Sequence, residues 1–351
     1  MSRELNLKPP VSLAVDRETD DLYVGGVDGD AFQILRIAAA AGAPPQPLLT
    51  LPDAARIEVD RQGGLFVAVR ARPAELFTFS ARVPPDRAPV RLETLPMVNA
   101  RKSQTLVPLP DGRCLVSSRS GERDRMLVVQ AGKRPYNLVD GDEETRPPAT
   151  AVGTEHAALM MGPPSSPDIA IVNTSDGRLV RRFKAPTSTI STLGASPDGR
   201  TLYYAAGGSI WTLPATGGTA TKLGDGDSFT VDEDTGDLVV KLDEGARMRL
   251  VMLKAGGGSP REITVRSELR LIPRPLVPGA IRQGRLLLGS ASADSWFWHA
   301  AMLDLKTGVL TKLAEPNPSD FHFVTWRADG VPIALGYGID TALWHFTSKP
   351  R

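Results

Sequence analysis

The sequence has one cysteine, no long apolar run and no excess of charge, and each shortage excludes a class of protein. A single cysteine, Cys114, cannot form a disulfide within the chain or supply a zinc site built on several cysteines. The chain has no apolar run of about eighteen residues, and its start lacks the features of a signal peptide, so neither a membrane span nor a leader is predicted. The 41 basic and 40 acidic residues leave a net charge of +1, and we expect no nucleic-acid partner.

Patterns for catalysis and metal binding are equally scarce. The Gly-x-Ser-x-Gly elbow of serine hydrolases is absent, and none of the four histidines pairs with another at a metal-ligand spacing. Most carboxylates fall in turns, where aspartate accepts backbone hydrogen bonds; the examples are Asp16, Asp20, Asp198, Asp232 and Asp234. The sequence therefore predicts no catalytic residue, no metal ligand and no cofactor. Cys114 lies in the run RCLVSS, which favours a small buried side chain over a reactive thiol.

Glycine and proline are abundant, with 33 and 30 residues, and they punctuate short apolar runs. The stretch Ser196–Gly224 shows the pattern best: an Asp-Gly turn, an apolar run, a Gly-Gly turn, a second apolar run, another Gly-Gly turn and a polar run. This order predicts consecutive antiparallel strands of one sheet.

The same module recurs eight times along the chain. Its opening strands and closing turns begin at Ser12, Arg56, Thr105, Thr150, Thr192, Phe229, Pro275 and Phe323. The start-to-start spacing of 37 to 49 residues is typical of propeller blades, including WD40-like repeats.

Each opening strand is followed by an apolar second strand and a third strand, but only seven outer strands follow. The segment Arg3–Lys8 resembles an outer strand and precedes the first module. We therefore predict one domain over residues 1–351, an all-β, eight-bladed propeller of four-stranded antiparallel blades whose amino-terminal strand closes the last blade. Seven blades are the alternative, because the module at Thr150 closes at Glu155 and His156 without a glycine there.

Three segments resemble parts of known propellers. SPDGRTLYY followed by SIWTLPATGG, within Ser196–Gly218, resembles the TolB-like repeat, in which a Pro-Asp-Gly turn joins the first two strands. The segments Ser290–Leu313 and Arg327–Phe346 resemble the carboxy-terminal propeller of acidobacterial-type serine/threonine protein kinases. That resemblance implies a bacterial sensor or interaction module in an extracytoplasmic or periplasmic location. The chain has none of the kinase motifs, so we expect no kinase activity.

Two classes of function remain open. The first is a noncatalytic, monomeric binding module for a protein, a peptide or a small molecule. The second is a metal-assisted propeller hydrolase or lactonase, in which side chains from the opening strands would converge on a central cation.

The segment Ser292–His299, SADSWFWH, is the predicted binding patch, because it places aromatic residues next to polar ones. In an extended segment Trp296 and Trp298 share one face, and Asp294 and His299 would supply polar specificity. The alternative is that both tryptophans fill the gap between neighbouring blades.

Overall fold

The computed structural model describes fourteen ranges of the chain. The described residues are 8–28, 31–40, 43–51, 55–60, 64–71, 74–80, 89–95, 106–120, 123–187, 189–245, 247–295, 297–313, 320–337 and 340–346. All the regular secondary structure in these ranges is β-strand, and the strands form antiparallel sheets. The prediction of an all-β chain is therefore confirmed. The described residues include no helix with the length and apolarity needed to cross a membrane.

The chain divides into two compact units. The smaller unit is Met1–Pro73 together with Gly338–Arg351, and the larger unit is Ala74–Tyr337. The single domain over residues 1–351 stays a prediction.

The smaller unit contains two sheets. The first is formed in chain order by β1 (Lys8–Val15), β2 (Leu22–Asp28), β3 (Ala31–Ile37) and β4 (Gln46–Leu51). The second is formed by β5 (Ala55–Val59), β6 (Leu65–Ala71) and the last strand of the chain, β32 (Asp340–Phe346), which pairs with β6. Phe32, Ile34, Ile57 and Val67 are buried in the core that the two sheets share.

The larger unit contains four sheets in which four strands follow one another in chain order, as the repeat predicts. Their strands are β9 (Leu106–Pro108), β10 (Cys114–Ser120), β11 (Arg123–Gln130) and β12 (Lys133–Asn137); β13 (Thr145–Val152), β14 (His156–Met161), β15 (Asp168–Asn173) and β16 (Leu179–Lys184); β17 (Thr192–Ala195), β18 (Thr201–Ala206), β19 (Ser209–Pro214) and β20 (Thr221–Asp225); and β21 (Ser228–Val231), β22 (Leu238–Asp243), β23 (Met248–Leu253) and β24 (Arg261–Ile263). Second strands such as β18 are buried on both faces, whereas the outer strand β16 is largely exposed. This burial explains why second strands are continuously apolar and outer strands polar.

The fifth sheet has a broken inner strand. It contains β25 (Arg270–Leu271), β26 (Ile281–Arg282), β27 (Arg285–Ala291), β28 (His299–Asp304) and β29 (Leu310–Lys312), and both β25 and β26 pair with β27. The sequence predicted a continuous opening strand from Pro275. Pro275 and Pro278 lack the N–H that a strand ladder needs, so the segment between the two short strands is irregular.

The sixth sheet joins strands from both ends of the larger unit. β30 (Asp320–Trp326) and β31 (Pro332–Tyr337) are followed by β7 (Ala74–Thr78) and β8 (Val90–Leu95). The prediction that the module opening at Arg56 forms one four-stranded blade is therefore wrong, because β6 of this module pairs with β32, and β7 pairs with β31.

The predicted closure by Arg3–Lys8 stays a prediction, because nearly all of this segment lies outside the described residues. The outer strand of the sixth sheet is β8, and Lys8 begins β1 of another sheet. Residues 3–7 lie outside the described residues. The backbone hydrogen bonds of β31 could pair with any third strand, so side-chain packing must select which third strand it pairs with. Here Phe77 and Phe79 of the 74–80 segment pack their rings against Phe321 of β30 at 5.2 and 5.8 Å.

The first strands of the six sheets in the larger unit contact one another in a closed ring. β9 contacts β13, β13 contacts β17, and β17 contacts β21. A bridge between Asp232 and Ile281 joins the end of β21 to β26; β26 contacts β30, and β30 contacts β9. Among the residues that the structure describes, this unit is therefore a ring of six sheets, and the other two sheets belong to the smaller unit. An eight-bladed or seven-bladed ring is not confirmed.

Cys114 lies at the start of β10 inside the core of the larger unit. Burial raises the pKa of its thiol to about 12, so the thiolate needed for nucleophilic chemistry is not formed near neutral pH. The prediction of a buried cysteine is confirmed.

Candidate functional site

A cleft of about 390 Å³ opens where the first strands of the larger unit end. Every one of the six sheets contributes to its wall. The lining residues include Pro108, Ala151, Thr154, Ala195, Ser196, Glu233, Ile281, Arg282, Trp326 and Arg327. A ligand in this cleft would therefore contact the whole ring of first strands.

The rim of the cleft is built from tight turns between first and second strands. Asp111, Asp198 and Asp329 each accept a hydrogen bond from the backbone N–H two residues later, at 3.0, 3.0 and 3.2 Å. Asp232 accepts one from the N–H of Asp234 at 2.9 Å. These bonds fix the turns, which confirms the predicted structural role of Asp198 and Asp232.

The charged groups of the cleft differ in how they are paired. Arg327 donates from Nε to Asp329 at 2.9 Å and forms an ion pair with the same carboxylate. Arg282 donates from Nη1 to the carbonyl oxygen of Ala328 at 2.9 Å. Glu233 is exposed to the cleft, but protein surrounds its carboxyl group, and this burial raises its pKa while nearby Arg282 partly offsets the effect. Arg282 and Glu233 are therefore the two charged groups best placed to meet a ligand.

A smaller cavity of about 50 Å³ adjoins the cleft and shares Pro108, Ala151, Ala195, Glu233 and Gly279 with it. Among its lining residues, the buried Thr230 hydroxyl has no hydrogen-bond partner within the described part of the chain. A polar ligand group or a water that enters from the cleft would satisfy this hydroxyl.

Replacing Glu233 by Gln is expected to change stability in a pH-dependent way. Because burial raises the pKa of Glu233, wild-type stability falls as pH rises from the ordinary carboxyl pKa through the raised one, and the Gln variant lacks this loss. Thermal denaturation at about pH 4 and about pH 8 should show the variant gaining stability relative to wild type at the higher pH. An identical difference in Tm at both pH values would contradict the assignment.

The predicted patch lies at the other end of its sheet, between β27 and β28, and not in the cleft. Asp294 is exposed, Trp298 is half-buried, His299 is buried, and Trp296 lies outside the described residues. Two hydrogen bonds from its main chain fix Trp298 to β30: its N–H donates to the side-chain Oδ1 of Asp320 at 3.0 Å, and its carbonyl oxygen accepts from the N–H of Phe321 at 3.0 Å.

A serine hydroxyl links the two polar residues of this patch. Ser292 Oγ lies 2.8 Å from His299 Nε2, and its hydrogen bond to the Asp294 carboxylate lowers the pKa of that carboxyl. A serine beside a histidine is the geometry of an activated nucleophile. The Ser292 hydroxyl bonds to the Asp294 carboxylate as well as to His299, so these hydrogen bonds order the loop between β27 and β28.

The sequence analysis missed two residues at the Trp298 ring, Arg274 and His322, and a third, Lys241, that bonds to the Arg274 segment. The Arg274 guanidinium carbon lies 5.1 Å from the centre of the Trp298 ring, and the His322 ring lies 4.7 Å from it. Lys241 donates from Nζ to the carbonyl oxygens of Ile272, at 2.9 Å, and Arg274. The available signal was a lysine inside the apolar run DLVVKLD, which predicts either an exposed cation or a specifically bonded one.

Within the described ranges, no three histidine, cysteine, aspartate or glutamate side chains are grouped so that they could hold a metal ion.

No protein-family model and no curated protein matches the chain. Among solved structures it is similar to a putative TolB from Agrobacterium tumefaciens, at 16% identity and a TM-score of 0.54, over 79% of this chain and 100% of that one. It is also similar to TolB from Acinetobacter baumannii, at 10% identity and a TM-score of 0.43, over 92% of this chain and 81% of that one. An oligogalacturonate lyase in complex with manganese matches at 10% identity and a TM-score of 0.44, over 96% of this chain and 97% of that one. The first likeness shows the fold, a TolB-like β-propeller, as the repeat predicted; the other two carry no further argument.

Proposed function

We propose that this protein is a noncatalytic binding module whose cleft, at the ends of the six first strands, holds a peptide or small-molecule ligand. The observation that carries the proposal is the cleft of about 390 Å³, to which all six sheets of the larger unit contribute. Clefts of this size hold small ligands, and they commonly combine apolar walls with a few polar groups. Because all six sheets form this site, it can bind a ligand without one specialised catalytic loop.

The lining indicates the kind of ligand. Pro108, Ile281 and Trp326 supply apolar surface, whereas Arg282 and Glu233 supply one charge of each sign. A short peptide segment fits this surface, because it combines apolar side chains with hydrogen-bonding groups and can present a carboxylate to Arg282.

A variant that fills the cleft tests the proposal. Thr154 is exposed and lines the cleft, whereas Thr219 is exposed on the connection between β19 and β20 and does not line it. Tripeptides and small carboxylates that bind wild type in an NMR screen are expected to lose about tenfold or more in affinity in Thr154→Trp and to keep it in Thr219→Trp. Ligands whose affinity is unchanged in Thr154→Trp would show that binding occurs elsewhere.

The finer proposal is an extracytoplasmic sensor region of a bacterial receptor serine/threonine kinase. Its support is the resemblance of the segments Ser290–Leu313 and Arg327–Phe346 to the propellers of such kinases. The genomic reading frame upstream of Met1 tests it: a kinase domain followed by a membrane span supports a receptor, and an unrelated gene there contradicts it. We also propose that the propeller is monomeric, which sedimentation measures directly.

The competing hypothesis is the metal-assisted hydrolase or lactonase. A metal analysis of the purified protein separates the two functions, because the hydrolase requires a stoichiometric cation. One bound metal ion per chain, together with lactone or ester hydrolysis that a chelator abolishes, would contradict the noncatalytic proposal.

A further inference from the structure

A third cavity, of about 20 Å³, lies among the sheets that contain β22, β27 and β30. That volume holds about one water molecule or an ion of similar size. Its polar lining consists of Lys241, Arg274 and His322, and the rest is mainly apolar, including Leu250, Leu288 and Val324. We call this cavity the basic pocket.

Lys241 brings a cation into this apolar surrounding. The side chain is 5% exposed, and the hydrogen-bond partners of Nζ are two neutral carbonyl oxygens, those of Ile272 and Arg274. Burial is the main cause that lowers the pKa of Lys241 to about 8, while Asp243 and Asp227 act against it. A buried ammonium group normally lies against an anion, because neutral carbonyls compensate only part of its lost hydration.

Arg274 adds a second positive charge to the basic pocket. Its guanidinium lies over the Trp298 ring, and its Nε is buried without a hydrogen-bond partner among the described residues. A buried N–H that has no acceptor is rare in native proteins, so its partner is expected to be a water molecule or a bound ion.

His322 completes the lining. It is 8% exposed, and its Nε2 lies 3.1 Å from Asp320 Oδ2, so Nε2–H donates a hydrogen bond to the carboxylate. Its Nδ1 is buried and has no partner within the described part of the chain. In the neutral ring Nδ1 is an acceptor, whereas in the protonated ring it becomes a third donor in the basic pocket.

We propose that the basic pocket binds a small monovalent anion, either chloride or one oxygen of a ligand carboxylate, between Lys241, Arg274 and His322. Lys241 and Arg274 place two positive charges at this pocket. The nearby carboxylate of Asp320 already bonds to His322 and to the Trp298 N–H. The other titratable groups near the pocket are Tyr337, whose ring lies 4.9 Å from His322, and Asp227 and Asp243 near Lys241.

This site is separate from the cleft at the ends of the first strands, so its test does not depend on the proposed function. Tm is measured in sodium chloride, sodium formate and sodium gluconate at equal ionic strength, because general screening is then the same in all three. We expect chloride or formate to raise Tm by about 2 °C or more over the bulky gluconate. The rise should be larger at about pH 6 than at about pH 8, because burial lowers the pKa of Lys241 to about 8 and its ammonium is partly neutral at the higher pH. Chloride alone would identify an inorganic ion, and formate alone a carboxylate. Equal Tm values in all three salts would overturn the proposal.

Two further measurements place the anion. Lys241→Met is expected to abolish the salt-specific shift, whereas Lys306→Met, at an exposed lysine, should retain it. A bromide-soaked crystal of wild type should show an anomalous peak between Lys241, Arg274 and His322, a result that does not require the variant to fold. The absence of that peak, with a water molecule in its place, would overturn the proposal.

Discussion

Replacing Phe321 by Ala is expected to lower the free energy of unfolding by about 3 to 5 kcal/mol, the cost of emptying a fully buried aromatic position. The side chain is 0% exposed. Its ring lies edge-on to Phe77 at 5.2 Å and tilted to Phe79 at 5.8 Å. These contacts pack β30 against β7, a strand of the same sheet that comes from the start of the larger unit. Chemical denaturation monitored by circular dichroism measures the loss.

Phe183→Ala is the matched control, because Phe183 is only half-buried on the outer strand β16. We expect its cost to be about 2 kcal/mol or less. A double-mutant cycle between Phe77 and Phe321 then tests the exchanged pairing itself, with an expected coupling of about 0.5 to 1.5 kcal/mol. A coupling of zero would mean that Phe77 and Phe321 are not in contact, which would contradict the packing of β7 against β30.

Gly308→Ala is expected to cost about 2 to 4 kcal/mol, which combines a strained backbone with overpacking. Gly308 has φ +75°, and a Cβ atom there would lie 2.0 Å from the carbonyl oxygen of Thr264. Because the obstacle is backbone, no side-chain rotation relieves it. Thermal denaturation of the variant measures the effect.

Gly284→Ala separates the two causes. Gly284 has nearly the same φ, +71°, but a Cβ atom there would meet nothing within 4 Å. Its expected cost is therefore the backbone part alone, about 1 kcal/mol. Equal losses for the two variants would show that the turn at Gly308 does not pack against Thr264.

Local patterns predicted the sheets whose strands are neighbours in the sequence. The stretch Ser196–Gly224 forms three consecutive strands as expected, because each pair is joined by a tight turn that holds its register. The strand expected from Thr150 begins earlier, at Thr145, because it accommodates Pro147 and Pro148 at an irregularity between Arg146 and Ala149.

Long-range pairing was not predictable from the same patterns. The segments ELFTFSA and ALWHFTS are both apolar third strands, and nothing in their spacing shows that the first pairs with β31 and the second with β6. The choice depends on packing such as that of Phe77 on Phe321, which joins residues far apart in the chain.

The candidate sites could also be predicted only in part from the sequence. The sequence analysis found Trp298, but it could not find Arg274 and His322, which approach the Trp298 ring from two other segments. The cleft was also missed, since each of its six walls is a short turn and only the closed ring brings the turns together. The binding role of Asp294, Trp296, Trp298 and His299 stays a prediction.

Soaking wild-type crystals with a library of small peptides and carboxylates tests the binding function most directly. Ligand density is expected in the cleft, with polar groups near Arg282 and Glu233 and apolar groups against Ile281 and Trp326. Density that is confined to other surfaces, with the cleft holding only water, would contradict the proposed function.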